Sequence, residues 1–202
     1  MAIIHQLSRR YLVFLAILLC AGAGIARAQE STFDLDPAKT VISFTLGDVL
    51  HTVHGTFKLK QGMLHLDPTG KMSGGIVVDA TSGNSGSGMR DRKMHKEVLE
   101  STRYPEIGFR PDRIDGKVSS DGKSSVMVHG IFSVHGVDRE ITVPAQVDMS
   151  AEQWAATVHF TVPYAKWGMK NPSTLFLRVS DSVEIDLEAA GKVEKESAQA
   201  TQ

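Results

Sequence analysis

The segment that decides the fold runs from Ser124 to Val143 and reads SSVMVHGIFSVHGVDREITV. Apolar side chains occupy alternate positions on both sides of a short turn, at Val126, Val128, Phe132, Val134, Ile141 and Val143. Alternation with a period of two predicts a strand, and two such strands joined by a short connection that contains glycine predict a β-hairpin. We therefore expect residues 124–143 to form the central hairpin of an antiparallel barrel or sandwich.

The same alternation recurs along the chain in segments that turns separate. These segments are residues 40–46, 52–60, 62–67, 75–80, 106–110, 114–118, 154–162 and 181–188. Strands with one apolar and one polar face are typical of an antiparallel sheet that covers a core on one side. Because closure removes exposed sheet edges, the sequence predicts an all-β fold, an antiparallel eight-stranded β-barrel. The interior of such a barrel is filled by side chains or holds one small ligand.

One segment departs from the strand pattern. Residues 81–88 are small and polar and predict a flexible loop, and about residues 89–100 have a helical period. Met94, Val98 and Leu99 share one apolar stripe of that helix. Pro105 disfavours a helical conformation at Tyr104, so we expect a single short helix at about residues 89–100.

The N-terminus resembles an export signal. Arg9 and Arg10 precede an apolar run, and residues 26–28 form an Ala-Arg-Ala cleavage pattern. The run is shorter than the roughly 20 residues of a membrane-spanning helix. We expect residues 1–28 to be a removed signal peptide, 29–190 a barrel domain and 191–202 a disordered tail, with a periplasmic or secreted protein and no permanent membrane anchor. The alternatives are an uncleaved anchor and lipidation at Cys20, which the bulky Leu19 before it disfavours.

The net charge and the cysteine content indicate which partners and which cellular compartment suit this protein. The chain has a formal net charge of −1 and a single cysteine, which lies in the predicted signal peptide. A protein without cysteines tolerates an oxidising compartment but gains no stability from disulfides. A nucleic-acid partner, which favours a basic patch, is not expected.

The histidines do not indicate a metal site or a catalytic centre. A zinc site needs three or four converging ligands, whereas His51 and His54 are three residues apart on a predicted strand and face opposite sides. His135 before Gly136 is interpreted as a turn residue that bonds local backbone. No phosphate loop, nucleophile elbow or carboxylate pair is found, so the prediction is no catalytic residue, no metal and no enzyme. An enzyme built on His51, His135 or a bound metal is the weakest alternative.

Four segments together resemble one known family. They are Met89-Arg90-Asp91 with Tyr104–Phe109, Gly130–Val143, Phe160–Leu187 with its Trp167-Gly168-Met169 step, and Asp48–Phe57. Their order is similar to that of the YceI-like family of lipocalin-like barrels, exported bacterial proteins that bind polyisoprenoid lipids. The resemblance covers about residues 32–190. The chain departs from the family pattern at Lys93-Met94, where many members have His-Leu, and at Leu99-Glu100, where many have paired Phe.

The resemblance implies a binding protein for an amphiphilic lipid. An isoprenoid quinone or a polyprenol is the expected ligand, no cofactor is expected, and a homodimer is possible. The candidate cavity-lining residues are Phe44, Leu46, Phe57, Leu59, Val78, Phe109, Val128, Phe132, Phe160, Val162, Trp167 and Met169. Arg90 is the candidate for the lipid head group; the alternative is that Arg90 and Asp91 anchor the helix and form a salt bridge to the barrel. Trp167 and Met169 have an alternative role as core or lid residues. The alternative is a packed barrel without ligand that acts through surface partners in envelope stress response or assembly.

Overall fold

A computed structural model describes residues 30–47, 52–175 and 178–196. Nine strands and one short helical segment are found in these residues. The strands are β1 (Glu30–Leu35), β2 (Val41–Gly47), β3 (Thr52–Leu66), β4 (Met72–Asn84), β5 (Glu106–Asp115), β6 (Gly122–Val134), β7 (Val137–Ser150), β8 (Gln153–Val162) and β9 (Val183–Glu196). Helix α1 (Gly88–Lys93) continues directly into a π-helical turn, Met94–Val98.

The strands close into an antiparallel barrel with eight strand positions. Strands β2 to β9 pair with their neighbours in the sheet, and β3 pairs with both β2 and β4, which closes the ring. β1 and β2 share one position, because both pair with β3 on one side and with β9 on the other. The break between them lies at Asp36-Pro37, where proline has no N–H to donate and the Asp36 carboxylate accepts the Ala38 amide at 2.9 Å. The predicted fold class, an eight-stranded antiparallel barrel with one short helix, is confirmed.

The hairpin predicted at residues 124–143 is the β6–β7 hairpin. Val134 pairs with Val137, so His135 and Gly136 form a two-residue loop with φ angles of 53° and 71°. Positive φ at both positions is typical of a type I′ turn, whose twist matches that of the flanking strands. The prediction that His135 is a turn residue is confirmed, but its ring contacts a distant segment instead of local backbone. The ring packs on Tyr104 at a centroid distance of 4.6 Å, and its Nε2 lies 3.2 Å from Glu100 Oε1.

Several strands are longer than the alternation predicts. β3 is one strand where two were expected, and register shifts near Phe57 and Lys60 let it bend. β4 continues through Asn84 into the expected loop. β9 continues to Glu196 because β1 pairs with it, from Leu35 opposite Gly191 to Glu30 opposite Glu196, so a disordered tail is wrong for residues 191–196. Residues 197–202 and the predicted signal peptide lie outside the described residues, and those expectations stay predictions.

The barrel interior contains two apolar clusters at different heights. The lower cluster, at the end where β1 pairs with β9, consists of Phe33, Leu35, Ile42, Leu59, Val126, Ala145, Val147, Met149, Trp154, Ala156, Ala189 and Val193. Its Trp154 ring meets Phe33 edge-on at 5.4 Å, and the indole N–H donates to Asp34 O at 3.3 Å. The upper cluster, beneath α1, consists of Phe132, Val134, Val162, Tyr164 and Met169. The lower end is therefore filled by side chains.

Within the described part of the chain, no helix has the length and apolar character to cross a bilayer.

Candidate functional site

An apolar cavity of about 360 Å³ occupies the upper end of the barrel, between the upper cluster and α1; we call it the upper cavity. The strands supply its wall through Phe44, Leu46, Val53, Phe57, Ile107, Phe132, Val134, Val162, Val183 and Ile185. The helical segment and the crossover between β8 and β9 supply the rest through Met89, Arg90, Lys93, Met94, Val98, Leu99, Tyr164, Met169, Pro172, Thr174 and Val179, with Ser85 between β4 and α1. One open end of the barrel thus carries a pocket while the other is packed.

The twelve residues predicted from the sequence to line the cavity fall into three groups in the structure. Phe44, Leu46, Phe57, Phe132, Val162 and Met169 line the upper cavity. Phe109, Phe160 and Trp167 pack against the upper cluster instead. Leu59, Val78 and Val128 belong to the packed lower region, away from the cavity. Strand alternation identifies an inward side chain but contains no information about its height along the barrel, which is why the three groups were predicted as one.

Trp167 is half-buried and packs against Phe132 of the upper cluster. Their ring centroids are 5.9 Å apart, and the Phe132 ring also meets Phe160 nearly edge-on at 5.8 Å. The Arg139 guanidinium stacks over the Trp167 ring at 4.8 Å and donates to the Trp167 carbonyl at 2.6 Å. These contacts fix the crossover to the β7 strand and hold the Phe132 wall of the cavity in place.

Arg90, the head-group candidate, lines the cavity and belongs to a polar network at the start of α1. The buried Ser85 hydroxyl donates to Asp91 Oδ1 at 2.6 Å and accepts from Arg90 Nε at 3.2 Å, and Arg90 Nη2 donates to Ser85 O at 2.9 Å. The hydrogen bond from Ser85 is the main cause that lowers the pKa of the Asp91 carboxyl. A guanidinium has five N–H donors, so Arg90 retains donors that a bound head group can use.

Sequence reasoning missed the helical wall of the cavity. Met94, Val98 and Leu99 were recognised as one stripe, and an amphipathic stripe must cover an apolar surface; here that surface is the cavity. Lys93 also lines the cavity and donates from Nζ to Pro172 O at 2.7 Å, which ties the helical segment to the crossover. The helical period predicts that this stripe is apolar, but it does not predict where on the barrel the helix docks.

Tyr164 is the buried polar member of the cavity wall. Its hydroxyl donates to the Ser180 carbonyl, and burial together with the nearby Asp181 charge raises the pKa of the Tyr164 phenol to about 12. The phenol therefore stays neutral at physiological pH. The hydroxyl already donates its hydrogen bond to the protein, so Tyr164 presents mainly its apolar ring to the cavity.

The histidines of the described residues lie on the outer wall or support turns. His54 pairs with Thr45, His65 with Thr32, His95 with Ser101 and Gly83, and His129 with Asp115. The pKa of His159 is raised, mainly by its 2.7 Å hydrogen bond to Asp186. Among residues 30–47, 52–175 and 178–196, no group of three or more His, Cys, Asp or Glu side chains is arranged to hold a metal ion. His51 lies outside the described residues.

A second depression, of about 750 Å³, lies on the outer surface beside β1, β3 and β4. Charged and polar groups of Asp34, Lys39, Lys60, His65 and Lys192 line it, and it is open to solvent. It is larger than the upper cavity, but a much larger share of its wall is polar. The upper cavity is therefore the better candidate for holding an apolar ligand.

Comparison with known proteins agrees with the barrel geometry. The YceI-like domain profile matches residues 33–190. A UPF0312 protein of Pseudomonas putida is 24% identical over 183 residues, 86% of this chain and 91% of the relative. BcnA of Burkholderia cenocepacia shares the fold with a TM-score of 0.65 at 18% identity, over 78% of this chain and 99% of BcnA. A polyisoprenoid-binding domain from Saccharophagus degradans does so with a TM-score of 0.63 at 17% identity, over 80% and 98% of the two chains. Because the profile spans nearly the whole barrel, this chain belongs to the YceI-like domain family.

Proposed function

We propose that this protein binds a small amphiphilic lipid, with the apolar chain in the upper cavity and the polar head beside Arg90. The observation that carries the proposal is the upper cavity, whose wall is apolar and whose charged lining residues, Arg90 and Lys93, both come from α1. A concave apolar pocket with a few converging polar groups is the usual form of a small-molecule site. The protein then acts as a binding protein rather than an enzyme.

An isoprenoid is the ligand class with the best support. The Saccharophagus degradans domain that shares the fold is described as polyisoprenoid-binding, and the family resemblance points to the same chemistry. A neutral head group such as a quinone carbonyl or a prenyl hydroxyl can accept hydrogen bonds from the remaining N–H donors of Arg90. An isoprenoid quinone or a polyprenol therefore fits the proposal.

The cavity volume limits how much of the chain is buried. A methylene group takes up about the same volume as one water molecule in the liquid, about 30 Å³. The cavity therefore holds about twelve such groups. Burial of twelve groups gains about 10 kcal/mol, and association costs at least about 4 kcal/mol. Apolar burial alone therefore supports a dissociation constant of tens of micromolar, and bonds to Arg90 would tighten it. Because the lower cluster is packed, a longer chain extends out of the cavity.

A carrier role outside the cytoplasm completes the proposal. The N-terminal Arg9-Arg10 pair, the apolar run and the Ala-Arg-Ala pattern support export to the periplasm or the medium. A lipid chain has low solubility in water, so a barrel that covers it would let it move between sites there.

Native mass spectrometry of the exported protein tests the proposal. We expect a discrete adduct, and solvent extraction of the same sample should release an isoprenoid. A bare mass that stays unchanged after incubation with quinones and polyprenols would overturn lipid binding. It would favour instead a packed barrel that acts through surface partners.

Two variants connect such an adduct to the upper cavity. Phe132→Asp introduces a carboxylate into the wall, and Val53→Trp fills the cavity with a ring; both should abolish the adduct. Val137→Asp is the control, because Val137 is 45% exposed on the adjoining hairpin. Circular dichroism must show that each variant is folded. A folded Val53→Trp protein that retains wild-type lipid would contradict the cavity assignment.

A further inference from the structure

Two large apolar side chains stand exposed beside the opening of the upper cavity. Met89 is 77% exposed and Leu175 is 89% exposed, whereas the other exposed large apolar residues of the described chain lie between 39% and 49%. Met89 lines the cavity, and Leu175 directly follows Thr174, another lining residue. Lys93 Nζ binds Pro172 O at 2.7 Å, so α1 and the crossover are in contact at this point. The two most exposed apolar side chains thus belong to the same end of the barrel.

The same end carries an excess of positive charge. The helical segment, residues 88–98, contains four cationic side chains and two acidic ones, although the whole chain has a net charge of −1. Both acidic groups are already bonded, since Asp91 accepts from Ser85 and Glu97 accepts from Lys170 at 2.6 Å. Arg92 and Lys96 are exposed, and no carboxylate of the described residues lies within salt-bridge distance of either.

We propose that this surface, formed by Met89, Arg90, Arg92, Lys96 and Leu175, docks the barrel on a bilayer that contains anionic phospholipid. The two apolar side chains enter the interfacial region while the cations meet the head-group phosphates. Reversible attachment to membranes uses this combination of apolar insertion and attraction to anionic lipid. A second protein is a poorer fit, because a stable protein interface buries about 800 Å² on each partner and two isolated apolar side chains provide far less.

Docking in this orientation would place the cavity opening against the membrane. A lipid chain could then pass between bilayer and cavity without crossing water. The docking itself needs no ligand in the cavity, so its failure would leave lipid binding in the upper cavity untouched.

Flotation of the exported protein with vesicles tests the docking. Vesicles of phosphatidylcholine alone are compared with vesicles containing phosphatidylglycerol, at low and at high NaCl concentration. We expect binding to the anionic vesicles, weakened by salt because the cations are exposed. Failure to bind the anionic vesicles would overturn the proposal. Equal binding to the neutral vesicles would also overturn it, because it would show a surface that needs no charge.

Matched variants locate the docking surface. The Arg92→Gln and Lys96→Gln double variant should weaken vesicle binding by about 25-fold, taking roughly fivefold per cation, and Leu175→Asp should weaken it by at least tenfold. The controls are the Lys117→Gln and Lys123→Gln double variant, at the opposite end of the barrel, and Met63→Asp, at a side chain 49% exposed on β3. Control variants should bind as wild type. If the controls lose binding while the docking variants keep it, the surface lies elsewhere.

A solution assay separates docking from ligand binding. Arg92, Lys96 and Leu175 are not lining residues of the upper cavity, so their variants should take up farnesol as wild type does. Loss of vesicle binding together with normal farnesol uptake supports docking. Loss of farnesol uptake together with vesicle binding would show that these substitutions disturb the cavity, and would overturn the assignment of a separate surface.

Discussion

Leu59→Ala should mainly lower the stability of the protein, whereas Leu46→Ala should mainly weaken lipid binding. Leu59 is 7% exposed in the lower cluster, so its truncation leaves a void in a packed region. Comparable substitutions destabilise a protein by about 3–5 kcal/mol. For a chain of this size each kcal/mol lowers Tm by about 2–4 °C, which predicts a decrease on the order of 10 °C. Lipid binding should remain unchanged because Leu59 lies away from the cavity.

Leu46 is half-buried and faces the upper cavity. Leu46→Ala enlarges an existing space, and loss of its half-buried carbons should cost about 1 kcal/mol of stability at about 0.8 kcal/mol per fully buried methylene. A ligand in the cavity loses a comparable contact, which corresponds to a roughly fivefold higher dissociation constant.

Thermal unfolding followed by circular dichroism measures the stability of both variants, and titration with farnesol measures their affinity. The division of the barrel into a packed lower end and a ligand-binding upper end requires the two effects to separate. If Leu59→Ala weakened farnesol binding as much as Leu46→Ala, with similar losses in Tm, that division would be refuted.

Three further perturbations test single contacts. Asp91→Ala removes the acceptor for both the Ser85 N–H and its hydroxyl, and should cost about 1–3 kcal/mol in denaturant unfolding. Because the pKa of Asp91 is lowered, the part of this contribution that depends on the carboxylate charge is present above pH 4 and should be lost as the pH falls through the native pKa. The pKa of His159 is raised above 6.5 by its carboxylate partner, so the Tm difference between wild type and His159→Gln should be present below pH 6.5 and disappear as the pH rises through the native pKa; an NMR titration that gives an unshifted histidine would contradict this. Gly136→Ala places a Cβ against an aromatic ring at φ 71°, whereas Gly122→Ala has a similar φ of 76° with open space around it. The second variant should lose about 1–2 kcal/mol from the left-handed conformation alone, and the first should lose more; equal losses would show that the ring yields.

Short-range sequence patterns were sufficient to predict the fold class of this protein. Alternation at Val126, Val128, Phe132 and Val134 predicts which side chains face inward, because a strand repeats every two residues. The His135-Gly136 turn predicts the hairpin, and the apolar stripe at Met94 predicts an amphipathic helix. Each of these signals arises within a few residues, so each can be read without knowledge of the partner strand.

Long-range pairing decided the features that the sequence left open. β1 and β2 share one strand position, and residues 191–196 are ordered, because β9 finds β1 as its partner. A polar, charged segment has no local signal for a strand when its hydrogen-bonding partner lies more than 150 residues away. The same limitation applies to the partners of the His135 ring. Tyr104 and Glu100 lie in another part of the chain, so the local sequence does not predict these contacts.

Height along the barrel is the property that separates the ligand candidates from the core. Phe57 and Leu59 are two residues apart on β3, share the inward face and look equivalent in sequence. Leu59 is buried in the lower cluster, whereas Phe57 packs against that cluster and also lines the upper cavity. The amino-acid sequence determined that both point inward, since the period of a strand is local. Only the tertiary structure decided which one meets open space, because the register of the strands and the docking of α1 set where side chains fill the barrel and where they leave it open.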